Sequence, residues 1–267
     1  MSSSANVHLA LQSEPANVSL VREMLSGLAE SLAIGREQLD DIKTAVSEAC
    51  NNVVLHAYEG ERGSLVVEVV VHEDSLEVVV CDEGVGFRPR PLDDDRAPGV
   101  GLAVIQSLSD RVEFVGGGGT AVRMSFQAAP DDPVRDLEAV ARVRTARADL
   151  PSGEIVVSVS PVDLAPLVFS RLVGALSARA RFSIDRLSDA QLVTDALAGA
   201  SDPVTLALSC EERRLDLRLG PLELGRGERV LGRQSSVENL LGKLVDEITT
   251  ERIDGHEVLH LGLNDRR

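Results

Sequence analysis

The chain has 267 residues, 43% of them hydrophobic and 26% charged, about twice the ~100–150 residues of a common domain. This composition excludes a mainly disordered chain and predicts two domains. Twenty-seven Lys and Arg against 43 Asp and Glu leave a net charge of −16, with five Phe, one Tyr and no Trp, so a nucleic-acid partner is excluded and a protein or a metal-bound nucleotide is expected.

The opening MSSSANVHLALQSEP has neither the basic start nor the apolar core of a signal peptide, and no stretch approaches the ~18 apolar residues of a membrane span. A cytoplasmic protein with no membrane partner is expected. Val7, Leu9 and Leu11 alternate as in a strand, and Val18, Val21, Leu25, Leu28 and Leu32 recur at helical spacing. A second helix is predicted from Gln38 to Tyr58, and then two Val-rich runs, Leu65–Val71 and Leu76–Cys81, form a hairpin about a polar turn. A Gly, Pro and Asp-rich loop from Asp82 to Gly99 leads to an apolar helix, Leu102–Leu108, a strand at Val112–Val115, a glycine turn, and a last strand with Val122, Met124 and Phe126. This order predicts an α+β domain, a mainly antiparallel sheet with helices on one face. Residues 128–152 begin and end near prolines and read as a linker.

Cys50, Cys81 and Cys210 stand at unrelated spacings in apolar or helical stretches and read as buried free thiols. No CxxC occurs, and His256 and His260 flank a strand pattern, so they read as surface residues rather than metal ligands.

Chemistry gathers in four places. On the second helix Glu48, Asn52 and His56 form a polar stripe beside the apolar face of Ile42, Val46, Ala49 and Val53; a solvated helix flank has the same spacing. Asp82 continues the inward set of Leu76, Val78 and Val80, so it is expected on the buried side. Gly84 and Gly86 directly after it let the backbone turn against a ligand. Gly99 and Gly101 open a helix whose free N–H groups favour phosphate, although an ordinary loop and cap read alike. Thr120 follows four glycines at the mouth of the last strand, where it suits either a pocket hydroxyl or a surface hairpin.

ExxxN on a helix, DxGxG after a strand, GxG before a helix and Gly-Thr before a last strand together resemble the ATP site of the GHKL superfamily. AVSEACNNVVLHAYEG and the size of the first half resemble, within it, the bacterial anti-sigma regulatory factors that are also serine-protein kinases; the resemblance covers residues 5–127. It implies a two-layer α/β sandwich of the GHKL (Bergerat) type, with ATP and Mg²⁺ as cofactors. It also implies that Glu48 is the general base, that Asn52 holds the metal, that Asp82 accepts the adenine amino group, and that Gly84, Gly86, Gly99 and Gly101 frame the lid. Arg22 falls where the family's partner-contacting arginine lies, a place that equally suits an exposed helix arginine. The implied partners are a sigma factor and a STAS-domain antagonist. The lid from Phe87 to Pro98 carries Asp93, Asp94 and Asp95, which predicts modest nucleotide affinity.

Beyond the linker the elements recur in the same order, and DRLSDAQLVTDALAGAS and VTLALSCEERRLDLRL line up with EQLDDIKTAVSEACNNV and VVEVVVHEDSLEVVV. A tandem duplication is expected, with domains at 1–127 and 153–267. Glu48 then falls on Ala196, Asn52 on Ala200, Asp82 on Pro221, and Gly99 and Gly101 on Ser235 and Val237. The second copy keeps the apolar pattern and lacks the ATP motifs, which predicts an intramolecular pseudo-dimer, with a homodimer as the other arrangement. The expected function is an ATP-dependent serine/threonine kinase acting on a STAS-type antagonist and sequestering a sigma factor. The alternative is a non-catalytic, ATP-dependent binding module of a partner switch.

Overall fold

The structure is a computed structural model that describes residues 5–85, 100–116, 118–127, 154–230 and 238–265. It divides into two compact units whose described residues are 5–127 and 154–265. The expected linker, Gly86, Gly99, the acidic lid, Ser235 and Val237 lie outside the described residues.

In the first unit, β1 (Val7–Gln12) leads to α1 (Pro15–Ser31) and α2 (Arg36–Asn52). The hairpin β2 (Ser64–Val71) and β3 (Ser75–Asp82) follows, then α3 (Val100–Leu108), β4 (Arg111–Gly116) and β5 (Thr120–Gln127). The sheet runs β1-β2-β3-β5-β4 with every pairing antiparallel. Period-two alternation decides its buried face: Val7, Leu9 and Leu11, Leu65, Val67 and Val69, Leu76, Val78 and Val80, and Val122, Met124 and Phe126 are all buried. Against them pack Val18, Val21, Leu25 and Leu28 of α1 and Ile42, Val46 and Ala49 of α2, the helical sets expected from spacing.

Pro15 at the first turn starts α1 without wasting a donor. The helix ends in a Schellman motif: Ala33 takes φ 57°, and the N–H of Ile34 donates to the carbonyl of Ala29 at 2.9 Å. The second helix departs from the expected Gln38–Tyr58 span. Its α-helical part stops at Asn52, and residues Val53–Ala57 form a π turn, which widens the helix and turns His56 out to solvent while Glu48 and Asn52 stay half-buried. The polar stripe therefore holds two residues, not three.

The second unit begins with β6 (Ile155–Val159), α4 (Ala165–Arg179) and α5 (Ile184–Ala198). The hairpin β7 (Val204–Glu211) and β8 (Arg214–Leu222) follows, then the short helices α6 (Arg226–Val230) and α7 (Glu238–Leu244), and β9 (Glu247–Ile253) and β10 (His256–Asn264). Its sheet runs β6-β7-β8-β10-β9, again antiparallel and in the same order as the first. Leu215, Leu217 and Leu219 are buried as expected.

Cys50 is buried and free, and burial pushes its thiol up to about 12. Cys81 and Cys210 are free but only half-buried: Cys81 lies on the outward phase of β3, whereas Cys210 shares the inward phase of Leu206 and Leu208 but stands one residue from the exposed end of β7. His256 is exposed, whereas His260 is partly covered and sits 3.3 Å from Glu251, so it is not a free surface residue. Among the described residues, no helix is long and apolar enough to cross a membrane, and no group of three His, Cys, Asp or Glu is placed to hold a metal ion.

Candidate functional site

Glu48 and Asn52 project from the last two turns of α2, one turn apart. The first turn of α3 comes against them. A Cβ built on Gly101 would lie 2.8 Å from Oε2 of Glu48 and 3.9 Å from Oδ1 of Asn52, so a glycine there lets the helix start approach both side chains. This puts a carboxylate, an amide oxygen and the N-terminal end of a nine-residue helix in one place.

At the other end of the site Asp82 closes β3, 9% exposed as its strand phase predicts. Its Oδ1 accepts the N–H of Gly84 at 2.8 Å and the N–H of Thr120 at 3.3 Å. Among the described residues nothing donates to Oδ2. That oxygen is left to accept from water or from a ligand. Two glycines make the approach feasible. A Cβ on Gly84 would fall 2.0 Å from the carbonyl oxygen of Ala57, and one on Gly119, at φ 131°, 2.1 Å from the carbonyl oxygen of Asp82.

Thr120 thus enters the site through its backbone N–H. Arg22 stands apart, exposed on α1, its Nη1 donating to the carbonyl of Lys43 at 3.3 Å and to Oγ of Ser47 at 3.0 Å. That places its guanidinium against α2 beside the residue preceding Glu48. Motif reading missed Ala57, Tyr58 and Gly119. Tyr58 and Ala57 act on the site through backbone partners distant in sequence, which no local pattern reveals; the GGGGT run was the one signal for Gly119.

The donor set fits a nucleotide with a hard cation. One amide oxygen and one carboxylate are too few to hold Mg²⁺ alone, but Mg²⁺ commonly keeps waters and takes remaining ligands from substrate phosphates.

The family described as histidine kinase-like ATPase domain matches residues 11–126. The serine-protein kinase RsbW of Bacillus pumilus (strain SAFR-032) is 35% identical over 135 residues, which are 45% of this chain and 83% of the relative. RsbW of Listeria monocytogenes serovar 1/2a (strain ATCC BAA-679 / EGD-e) is 38% identical over 133 residues, 45% of this chain and 85% of the relative. Over its first half the chain belongs to the RsbW family of serine-protein kinases. The segment that matches the histidine kinase-like ATPase family contains Glu48, Asn52, Asp82, Gly84, Gly101 and Thr120, and the second unit lies beyond it. Among solved structures, the RsbU and RsbW domains of Rv1364c from Mycobacterium tuberculosis are similar over 46% of this chain and 32% of that one, with TM-score 0.37 and 23% identity.

Proposed function

We propose that the protein transfers the γ-phosphoryl group of ATP to a serine of a STAS-domain antagonist, and that it sequesters a sigma factor when that antagonist is phosphorylated. The observation that carries this reading is the convergence of Glu48, Asn52 and Gly101 at the start of α3. The Glu48 carboxylate accepts the proton of the incoming serine hydroxyl as the serine oxygen bonds to phosphorus and ADP leaves. Asn52 would hold Mg²⁺, whose charge, when bound, offsets that of the phosphates. Asp82 accepts the adenine amino group through Oδ2, while its Oδ1 remains engaged with Gly84 and Thr120. The hydroxyl of Thr120 serves the same pocket, and Arg22 contacts the protein partner.

The second unit acts as a copy that binds no nucleotide. Two internal ties support this. At the position of Asn52, the carbonyl of Ala200 accepts from Nε of Arg226 at 2.7 Å. Glu257, 3% exposed, accepts the N–H of Gly227 at 3.0 Å, and its carboxyl is held below the usual range chiefly by the N–H groups of Gly225 and Gly227. Residues 225–227, which follow β8, are thereby tied to the unit's own chain. With two such units per chain, the expected species in solution is a monomer.

The test incubates the full chain with labelled ATP, Mg²⁺ and STAS-domain proteins encoded beside it, comparing wild type with Glu48→Ala. The kinase reading expects serine labelling that drops by at least ~10²-fold in the variant. ATP binding without Glu48-dependent labelling would leave only the non-catalytic binding module.

A further inference from the structure

The turn that carries Asp82 is held from outside the nucleotide motifs. Three successive backbone amides after Asp82 are each engaged. The N–H of Glu83 donates to the hydroxyl of Tyr58 at 2.9 Å, that of Gly84 to Oδ1 of Asp82 at 2.8 Å, and that of Val85 to the carbonyl of Ala57 at 2.9 Å. Two of the three acceptors belong to Ala57 and Tyr58, where the π turn after Asn52 ends. The Tyr58 hydroxyl also donates to the carbonyl of Ser64, at 2.6 Å, on the first residue of β2. Its ring lies against Gly63, where a Cβ would come within 2.1 Å of Cε1 and Cζ. Burial, with the nearby Asp82 and Glu83 charges, raises the phenol further above its ordinary value of 10. It therefore stays protonated at neutral pH, and its one proton goes to Ser64 while a lone pair serves Glu83.

We propose that Tyr58 is a positioning residue for nucleotide recognition: its hydroxyl bridges β2 to the Asp82–Gly84 turn and fixes the carboxylate that reads the base. The inference rests on Asp82 as the acceptor of the adenine amino group. Removing the hydroxyl leaves the Glu83 N–H and the Ser64 carbonyl without that partner, and a turn freed at Glu83 no longer holds Asp82 in one orientation. Because the same segment continues from the helix bearing Glu48 and Asn52, the base end and the phosphate end of the site share one support. The effect of the hydroxyl is on binding and base choice, not on phosphoryl transfer once ATP is bound.

The experiment compares the full-length wild type with Tyr58→Phe, measuring ATP and GTP affinity by calorimetry and phosphotransfer to a STAS protein against ATP concentration. Expected is a rise of about 10-fold in Kd and KM for ATP, a similar loss of preference for ATP over GTP, and kcat within about twofold of wild type. An unchanged ATP affinity and ATP-to-GTP ratio, whatever happens to thermal stability, overturns the inference. A wild type that binds no ATP removes the reading of Asp82 and the inference with it, so the two failures are distinguishable. Where Tyr58→Phe does not fold, the wild type supplies the readout, because Tyr58 is the only tyrosine and there is no tryptophan. Saturating ATP should move the alkaline titration of the phenol absorbance upward, and a titration indifferent to ATP overturns the proposal.

Discussion

A single added methyl group separates folding from chemistry at Gly101. Its Cβ would meet the flexible end of the Glu48 side chain rather than backbone. Gly101→Ala is therefore expected to fold, with a melting temperature within a few degrees of wild type, while displacing the carboxylate and lowering the phosphotransfer rate by ~10-fold or more. A variant with the wild-type rate would remove Glu48 from the reaction. Asp82→Asn tests the opposite end. An amide keeps an oxygen for the N–H groups of Gly84 and Thr120 but turns the second acceptor into a donor, so ATP affinity should fall by ~10–100-fold, about 1.4–2.8 kcal/mol. Calorimetry showing equal ATP affinity would mean that Asp82 does not read the base. The identities of both residues were legible in the sequence, because a helical spacing and a strand phase aim them. Which glycine meets which was not: Gly101 comes to Glu48, and Gly119 to Asp82, through packing between segments far apart in the chain.

At the level of elements, the two helix pairs are connected alike. After α1, Ala33 adopts φ 57° and Ile34 donates to Ala29; after α4, Arg181 adopts φ 58° and Phe182 donates to Ser177, both at 2.9 Å. A left-handed residue that is not glycine is uncommon, and here it recurs at matching places in two units of one strand order. This recurrence supports duplication more strongly than the apolar pattern does, since many unrelated sandwiches share alternation. The elements diverge here: the first unit brings Gly101 against Glu48 and Asn52, and the second has Glu257 capped by backbone donors. That tie predicts a pH effect. The folded state holds the Glu257 carboxyl below its ordinary value of 4.5, so its stabilisation is complete above that value and is lost as pH falls through the lowered folded value. Melting curves of wild type and Glu257→Gln should differ at neutral pH and converge in acid; a constant gap down to the lowest pH would exclude the ionised tie. The end of α2 was the element least legible in sequence. Val53–Ala57 is as apolar as a continuing helix, and nothing local signals that the carbonyl of Ala57, at the end of its π turn, accepts the N–H of Val85.

For the whole molecule, the proposed division of labour gives a stoichiometry. One ATP per chain is expected at saturation in the presence of Mg²⁺, with a monomer in light scattering; two ATP per chain would overturn the silence of the second unit, and an obligate dimer its role as a substitute for a partner protomer. The sequence by itself determined the α+β class, the strand and helix order, the buried face of each strand and the residue types of the nucleotide motif, because these depend on periodicity and on local chemistry. Only the tertiary structure decided which of those residues meet, that the helix widens after Asn52, and that Ala57 and Tyr58 hold the Asp82 turn. The reason is physical: a backbone carbonyl or a lone phenol carries no sequence signature of its partners, and its role exists only once segments from distant parts of the chain are packed within hydrogen-bond reach.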